Sequence, residues 1–411
     1  MKKLFAFISL VLIFAACNEV DILEPGYPDG SILSGTTPVP EEIRTNIEGV
    51  YKITDGKDNF GEQVVLKWYK EKLVVYGYYL GTYLVLESGM KNSEVLFEGV
   101  WRHMRSLDAG MTRWKITAED AAALENGAVQ DLEISGSYSN GNGINTKTLK
   151  LKYERAISDS ALNSDFLIVA HRGGVRNSDN IGVSENSIEM IALAEQLGAN
   201  AIEIDVKLSK DNVPFLYHDS DINLRLVREA PMWGQIEDFT FPQINTFLTL
   251  VNGEKIPKLK DALEFVLNET KLKFVWLDMK SSKNAMPYVI PIQQEIMSRA
   301  EAMGRDLKIV IGLPTEEKIS NFKQYPGYEN VLSLNELSID DVRSTNSYAW
   351  GPRWTLGSQT DAVRQMHAEG RIAITWTLDS DEFIKKFFRE TEFDGFVTNY
   401  PTVVAYYNYV R

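Results

Sequence analysis

The stretch Phe166–Asp219, FLIVAHRGGVRNSDNIGVSENSIEMIALAEQLGANAIEIDVKLSKDNVPFLYHD, decides the fold. Three short apolar runs lie in it, Phe166–Ala170, Ala201–Val206 and Val213–Tyr217. Each is rich in β-branched or aromatic residues and reads as a buried strand. Between the first two, Ile188, Ile191, Ala192, Ala194 and Leu197 recur at helical spacing, with Ser184 as the expected cap and Gly198 as the stop. This is a βαβ unit, so the first two strands are expected to be parallel. Polar residues stand where each run ends: His171-Arg172, then Glu203 and Asp205, then His218-Asp219.

In a parallel α/β sheet, ligands bind outside the carboxyl ends of the strands. Glu203 and Asp205 are two apart on one strand, so both side chains share a face, ~7 Å apart along the chain. Two carboxylates on a buried face repel unless a cation sits between them. A hard divalent metal with oxygen ligands is the economical answer.

HRG (171–173), SENS (184–187), EIDV (203–206) and HD (218–219), in that order, resemble the glycerophosphodiester phosphodiesterases. That family consists of metal-dependent (β/α)8 barrels, distantly similar to phosphatidylinositol-specific phospholipases C. The resemblance continues in Ile256–Leu259 (IPKL), Trp276–Lys280 (WLDMK), Ile374–Leu378 (ITWTL) and Asp394–Pro401 (DGFVTNYP), and covers about residues 165–411. It implies that His171 and His218 are the general acid and base, in an order the sequence leaves open. Histidine titrates in the range suited to both roles. It implies that Arg172 and Lys280 bind phosphate oxygens. It also implies that Glu203, Asp205 and Asp278 hold one divalent cation, Mg²⁺ or Ca²⁺. Asp278 stands where the family usually has a glutamate, so its shorter side chain calls for a small shift of strand or metal, or an intervening water.

Glu185 and Asn186 match the family's EN pair. Glu185 either orients a histidine or lies near the metal; the alternative is a helix N-terminal carboxylate. Trp376 lines the cleft or packs in the core. The polar connection from His171 to Glu185 is longer than usual in the family and is expected to shape substrate choice.

The expected fold class is therefore α/β, a TIM barrel over residues 161–411, with an open doubly wound sheet as the alternative. Strand-like runs at Lys273–Met279, Leu307–Ile311, Asn330–Leu334, Tyr348–Trp350, Ile372–Trp376 and Gly395–Thr398 alternate with helical ones. His367 lies in a helical pattern and is expected to face solvent.

Upstream, residues 41–160 read as a β-rich domain of unknown role. A short helix over Glu41–Val50 is followed by seven strand-like runs, with Asn140–Gly143 (NGNG) as a hairpin signal between the last two. Trp68, Trp101, Trp114 and the tyrosines Tyr76, Tyr78, Tyr79 and Tyr83 are read as the core of a small barrel or sandwich rather than as a ligand surface. His103 has no companion that suggests a metal site.

Residues 18–40, rich in Pro, Gly, Ser and Asp, read as a flexible tether. Lys2 and Lys3 precede an apolar run, Leu4–Ala16, too short to span a bilayer, which reads as a signal peptide. Its end, Phe14–Cys17, resembles a bacterial lipobox. Cys17 is the one cysteine among 411 residues, so lipidation there is expected and no disulfide can form within the chain. The reading places the protein in the bacterial cell envelope, lipid-anchored on the periplasmic side or at the surface. The net charge of −14 disfavours a nucleic-acid partner, which calls for a basic face.

Three functions are carried forward. One is metal-dependent hydrolysis of glycerophosphodiesters to glycerol 3-phosphate and an alcohol. It proceeds either by direct water attack or through a cyclic phosphate. The second is action on a related lipid or glycan phosphodiester. The third is a membrane-tethered binding protein without activity, against which the intact set of His171, Arg172, Glu203, Asp205, His218 and Lys280 speaks.

Overall fold

The computed structural model describes residues 27, 29–106, 108–141, 143 and 147–411. The signal-peptide and Cys17 expectations lie outside the described residues.

Eight parallel strands close a ring: Leu167–Ala170, Ala201–Leu208, Phe274–Met279, Lys308–Leu313, Ser333–Asn335, Ala349–Trp350, Ile372–Thr375 and Gly395–Thr398. They are numbered here as barrel strands 1 to 8. Strand 8 pairs with strand 1 from Gly395↔Leu167 to Thr398↔Ala170, so the sheet is a TIM barrel and not an open doubly wound sheet. Side-chain alternation sorts the two faces. Leu167, Val169, Ala201, Phe274, Trp276 and Val310 fill the interior. Ile202, Ile204, Val275 and Leu277 instead pack under the helices. Glu203, Asp205 and Asp278 are in phase with the interior set, and Asp205 lies directly opposite Asp278 in the register.

The third run of the opening stretch is not a ring strand. Pro214–Leu216 pairs antiparallel with strand 2, Val206 opposite Leu216. Strand 2 runs three residues past Asp205 and the hairpin brings the chain back. Tyr217 then donates its N–H to the Asp205 carbonyl (3.1 Å). His218 therefore reaches the same rim by a different route from the one expected. The first helix also begins later than the sequence suggests, at Ile188–Ala194, capped by Ser187, whose hydroxyl accepts from the Met190 N–H. Ser184 is used elsewhere, accepting from the Asn252 N–H (3.0 Å). Gly198 ends the turn at φ +98°, where a Cβ would also lie 2.6 Å from the Ala405 side chain.

The β-rich region is a second closed barrel, an antiparallel meander of eight strands in chain order from Gly49–Asp55 to Lys147–Arg155. The expected helix stops at Ile47, and the strand Gly49–Asp55 that follows it, alternating and β-branched, is the one the sequence reading missed. Phe60, Phe97, Trp101, Trp114 and Tyr138 fill the interior. His103 belongs with them, its ring 5.0 Å from that of Trp101 and its Nε2 2.8 Å from the Asn59 carbonyl.

The tyrosine cluster is a correction. Tyr76, with Val50, Val65 and Val74, faces out of the small barrel and packs against the last helix, Pro401–Val410. Tyr78 packs its ring, tilted, against Tyr406 and Tyr407, and Tyr83 and Met104 pack on Val175, Met190 and Leu197. These aromatics join the two barrels. Alternation explains it: on a strand where Leu73 and Val75 fill a barrel, Val74 and Tyr76 must find another surface.

Where a tether is expected over 18–40, the described part lies along the small barrel. Tyr27 donates to the Gly99 carbonyl (2.5 Å), Ser31 donates to Glu98, Asp29 pairs with Arg113 (2.7 Å), and Thr37 bridges Met90.

Candidate active site

Strands 2 and 3 bring Glu203, Asp205 and Asp278 together, with one oxygen of each within 4.8 Å of the others. Glu203 Oε1, Asp205 Oδ1 and Asp278 Oδ1 are buried and accept no hydrogen bond. Burial, then the neighbouring Asp205 and Asp278 charges, push the Glu203 carboxyl well up. Burial and the Asp205 charge raise Asp278, against the pull of Lys280. Three clustered carboxylates, each with a buried unsatisfied oxygen, fit a hard divalent cation, which would relieve both the repulsion and the lost hydration. The shorter Asp278 still brings an oxygen within 4.8 Å of the other two carboxylates.

The remaining oxygens are held. Asn186, at φ 59°, donates from Nδ2 to Asp205 Oδ2 (2.7 Å) and accepts the Asp205 N–H (3.0 Å). The Arg172 backbone N–H donates to Glu203 Oε2 (2.8 Å). Lys280 Nζ lies 2.5 Å from Asp278 Oδ2 and 3.9 Å from Asp205 Oδ1. Burial works against the lysine's charge, but Asp278 and Asp205 outweigh it and hold the ammonium protonated.

The two histidines have different supports. His171 Nε2 is 3.7 Å from Glu203 Oε2, and its Nδ1 is 2.7 Å from Asn399 Oδ1. Asn399 in turn donates from Nδ2 (2.6 Å) and from its backbone N–H (2.8 Å) to Asp379. A carboxylate only accepts, so Asp379 fixes which way the amide points. Its oxygen faces the ring, Nδ1 must donate, and Nε2 keeps its lone pair. Burial, with Arg172 adjacent, lowers the ring to about 4. His218 Nδ1 instead donates to the Asp219 carboxylate (2.6 Å). Burial opposes ionisation of Asp219, but hydrogen bonds from Arg225, His218 and Asn223 hold it well below the carboxylate range.

The helix cap is Ser187, and Glu185 is not one of the three clustered carboxylates. It is buried and accepts from Arg172 Nη1 (2.7 Å), Arg225 Nη1 (3.0 Å) and the Asn177 N–H (2.9 Å). It thus fixes Arg172 while Arg172 Nε, buried and without a partner, stays available 3.9 Å from Asp205. Through Arg225 it also steadies Asp219. Trp376 packs, partly buried, against the barrel interior, its indole donating to the Gly351 carbonyl (2.7 Å) and its ring under the Arg353 guanidinium (4.9 Å). His367 is half-exposed and 2.8 Å from Asp394, away from this group.

The sequence reading missed Asp379, Asn399, Arg225 and Glu336. Asn399 was in view, since it stands in DGFVTNYP where the resembled motif has an aspartate. Glu336 follows strand 5, has a buried unpartnered Oε1, and is raised by burial and by Asp278.

On geometry, the rim is that of a barrel hydrolase suited to a phosphoric diester: paired proton-transfer groups flank cationic donors and a carboxylate cluster. A family model described as the glycerophosphoryl diester phosphodiesterase family matches residues 171–403, more than half of the chain, and the chain belongs to that family. A glycerophosphodiester phosphodiesterase of Caldanaerobacter subterraneus subsp. tengcongensis is 24% identical over 255 residues, 60% of this chain and 98% of the relative. Human glycerophosphodiester phosphodiesterase 1 is 32% identical over 108 residues, 24% of this chain and 30% of the relative. Among solved structures, an Oleispira antarctica phosphodiesterase in complex with the product sn-glycerol-3-phosphate is similar at a TM-score of 0.46 and 19% identity, covering 57% of this chain and 94% of that one.

Proposed function

We propose that the protein hydrolyses glycerophosphodiesters to glycerol 3-phosphate and an alcohol, with His171 as proton acceptor and His218 as proton donor. The observation that carries the reading is the pair of histidines with unlike partners beside three clustered carboxylates, each with an unsatisfied oxygen. Burial, then the adjacent Arg172, keep the His171 ring neutral, and the neutral amide behind Nδ1 leaves the lone pair at Nε2. An ionised Asp219 behind His218 offers a counter-charge to the imidazolium form, the form that can give a proton away. These unlike supports assign the base to His171 and the acid to His218.

In this scheme Arg172 Nε and Lys280 Nζ hold the non-bridging phosphate oxygens. His171 Nε2 takes the proton of the attacking hydroxyl, either water's or the substrate's own. His218 returns one to the leaving alkoxide. Glu203, Asp205 and Asp278 would hold the divalent cation, Mg²⁺ or Ca²⁺, which supplies charge neutralisation at the phosphoryl group. The test is release of glycerol 3-phosphate from a panel of glycerophosphodiesters with Mg²⁺, with Ca²⁺ and with chelator. Cation-dependent release is expected. A folded protein that releases nothing with either cation would overturn the reading. Release only from lipid or glycan phosphodiesters would move the substrate class.

The leader supports one further part of the reading: Cys17 is lipidated and anchors the protein in the bacterial envelope, periplasmic or surface-facing. Incorporation of labelled palmitate, lost in Cys17→Ser, checks it.

A further inference from the structure

The family match begins at His171 and leaves the small barrel without a role. The geometry points to one: Arg105, on the loop after the small-barrel strand Glu94–His103, is a positioning residue that holds the Asp379–Asn399 support of His171 in place. The inference rests on the reading of His171 as the base, and extends it to the other domain.

Arg105 is built to reach the site. Its backbone N–H donates to the Leu80 carbonyl (3.1 Å), and that of Met104 donates to the Gly81 carbonyl (3.2 Å), which fixes the loop on its own barrel. Met104 is buried against Val175, Met190 and Leu197 of the large barrel. From this base the guanidinium makes three contacts. Nη2 donates to the backbone carbonyl of Asp379, Nη1 lies 2.7 Å from Asp381 Oδ1, and the plane sits 4.5 Å from the Tyr400 ring centre. Asp379 is the carboxylate that orients Asn399, and Tyr400 is the residue after Asn399. One side chain therefore grips the chain on both sides of the amide that presents the His171 ring. Its side chain is 20% exposed, so the contacts are only partly screened by solvent. A guanidinium can donate in its plane and stack on its face at once; an ammonium cannot.

Arg105→Ala removes the grip without touching the Glu203, Asp205 and Asp278 cluster, Arg172 or Lys280. The expected result is a fall in kcat of about tenfold, since small misplacements of a reacting group are costly. KM and the affinity for Mg²⁺, read by calorimetry, are expected to stay within twofold. Arg105→Lys is expected to recover only part of the loss. In an Asn399→Ala background Arg105→Ala should cost nothing more, because both act through one amide. A readout independent of turnover is available because the chain has four histidines. The imidazole N–H resonance of His171, assigned with His171→Ala, should shift or broaden in Arg105→Ala while those of His218 and His367 hold. An unchanged His171 resonance, or a loss that multiplies with that of Asn399→Ala, would overturn the proposal. Should Arg105→Ala fail to fold, Arg105→Gln, which keeps the packing of the stem, carries the same measurements. If the substrate panel shows no turnover, the reading of the function fails while the resonance still decides the role of Arg105.

Discussion

The molecule contains two closed eight-stranded barrels that put their strand ends to different use. In the small barrel each strand runs opposite to its neighbours, so carboxyl ends alternate between the two rims and neither rim collects them. Its interior is filled by Phe97, Trp101 and Trp114. In the large barrel all eight strands run the same way and every carboxyl end arrives at one rim. Strands 1, 2, 3 and 8 deliver His171, Asp205, Asp278 and Asn399 there within a few residues of their ends. Closure alone gives stability; closure with a common direction also gives a place where distant parts of the sequence meet.

The comparison breaks most plainly if the large rim proves dispensable. His171→Ala and His218→Ala are each expected to lower turnover of a glycerophosphodiester ~10²–10⁴-fold, the usual contribution of a positioned acid or base. Near-full turnover in either variant would remove that histidine from the chemistry. The opposite signature is expected inside the small barrel. Phe97→Ala empties a fully buried site and should cost ~3–5 kcal/mol of stability, read by denaturant titration, with kcat of the folded protein unchanged. A loss of kcat at full folding would mean that the small barrel's core, and not only its Arg105 loop, reaches the site.

The pH dependence sharpens the contrast. Burial holds His171 down to about 4 from an ordinary 6.5. The folded ring stays neutral as pH falls through 6.5, so the acid limb of kcat is expected near 4. The unfolded ring protonates earlier, so the stability that depends on a neutral ring is present above pH 6.5 and is lost as pH falls towards 4. A limb near 6.5 would show the ring to be open to water. The smallest effect belongs to the seam. Tyr406 donates to Gln63 Oε1 across the two barrels (2.8 Å), and Tyr406→Phe should cost about 1 kcal/mol with no change in turnover.

The parts of the site carried by local pattern were legible. Glu203 and Asp205 stand two apart on an all-buried strand, and His171 follows an unbroken apolar run, so the pleat alone places them. The parts that depend on closure were not. Asn399 meets His171 across 228 residues, and nothing within DGFVTNYP says which strand lies beside it. Glu185 was left between two readings because both arginines that need it, Arg172 and Arg225, approach through loops. Ser184 and Ser187 are equally good caps by type; the choice fell to Ser187 once Asn252 took the other hydroxyl. The hairpin that carries His218 looked like a ring strand because a strand paired on one edge can be as apolar as one paired on both. Residues 18–40 looked like a tether by composition, yet Tyr27, Asp29 and Ser31 hold the described part to Gly99, Arg113 and Glu98.

The seam between the barrels sets an order on biosynthesis. The small barrel leaves the ribosome first, with Tyr76, Val50, Val65 and Val74 on an outer face that has nothing to cover it. The helix that covers this face, Pro401–Val410, is translated after the whole large barrel: the Val410 carbonyl that Arg155 bonds lies 255 residues further on. The same helix follows the strand that closes the ring. A nascent chain thus carries an open tyrosine surface until the ring that bears the active site is ready to shut, and a chain broken off early keeps that surface exposed to chaperones and proteases.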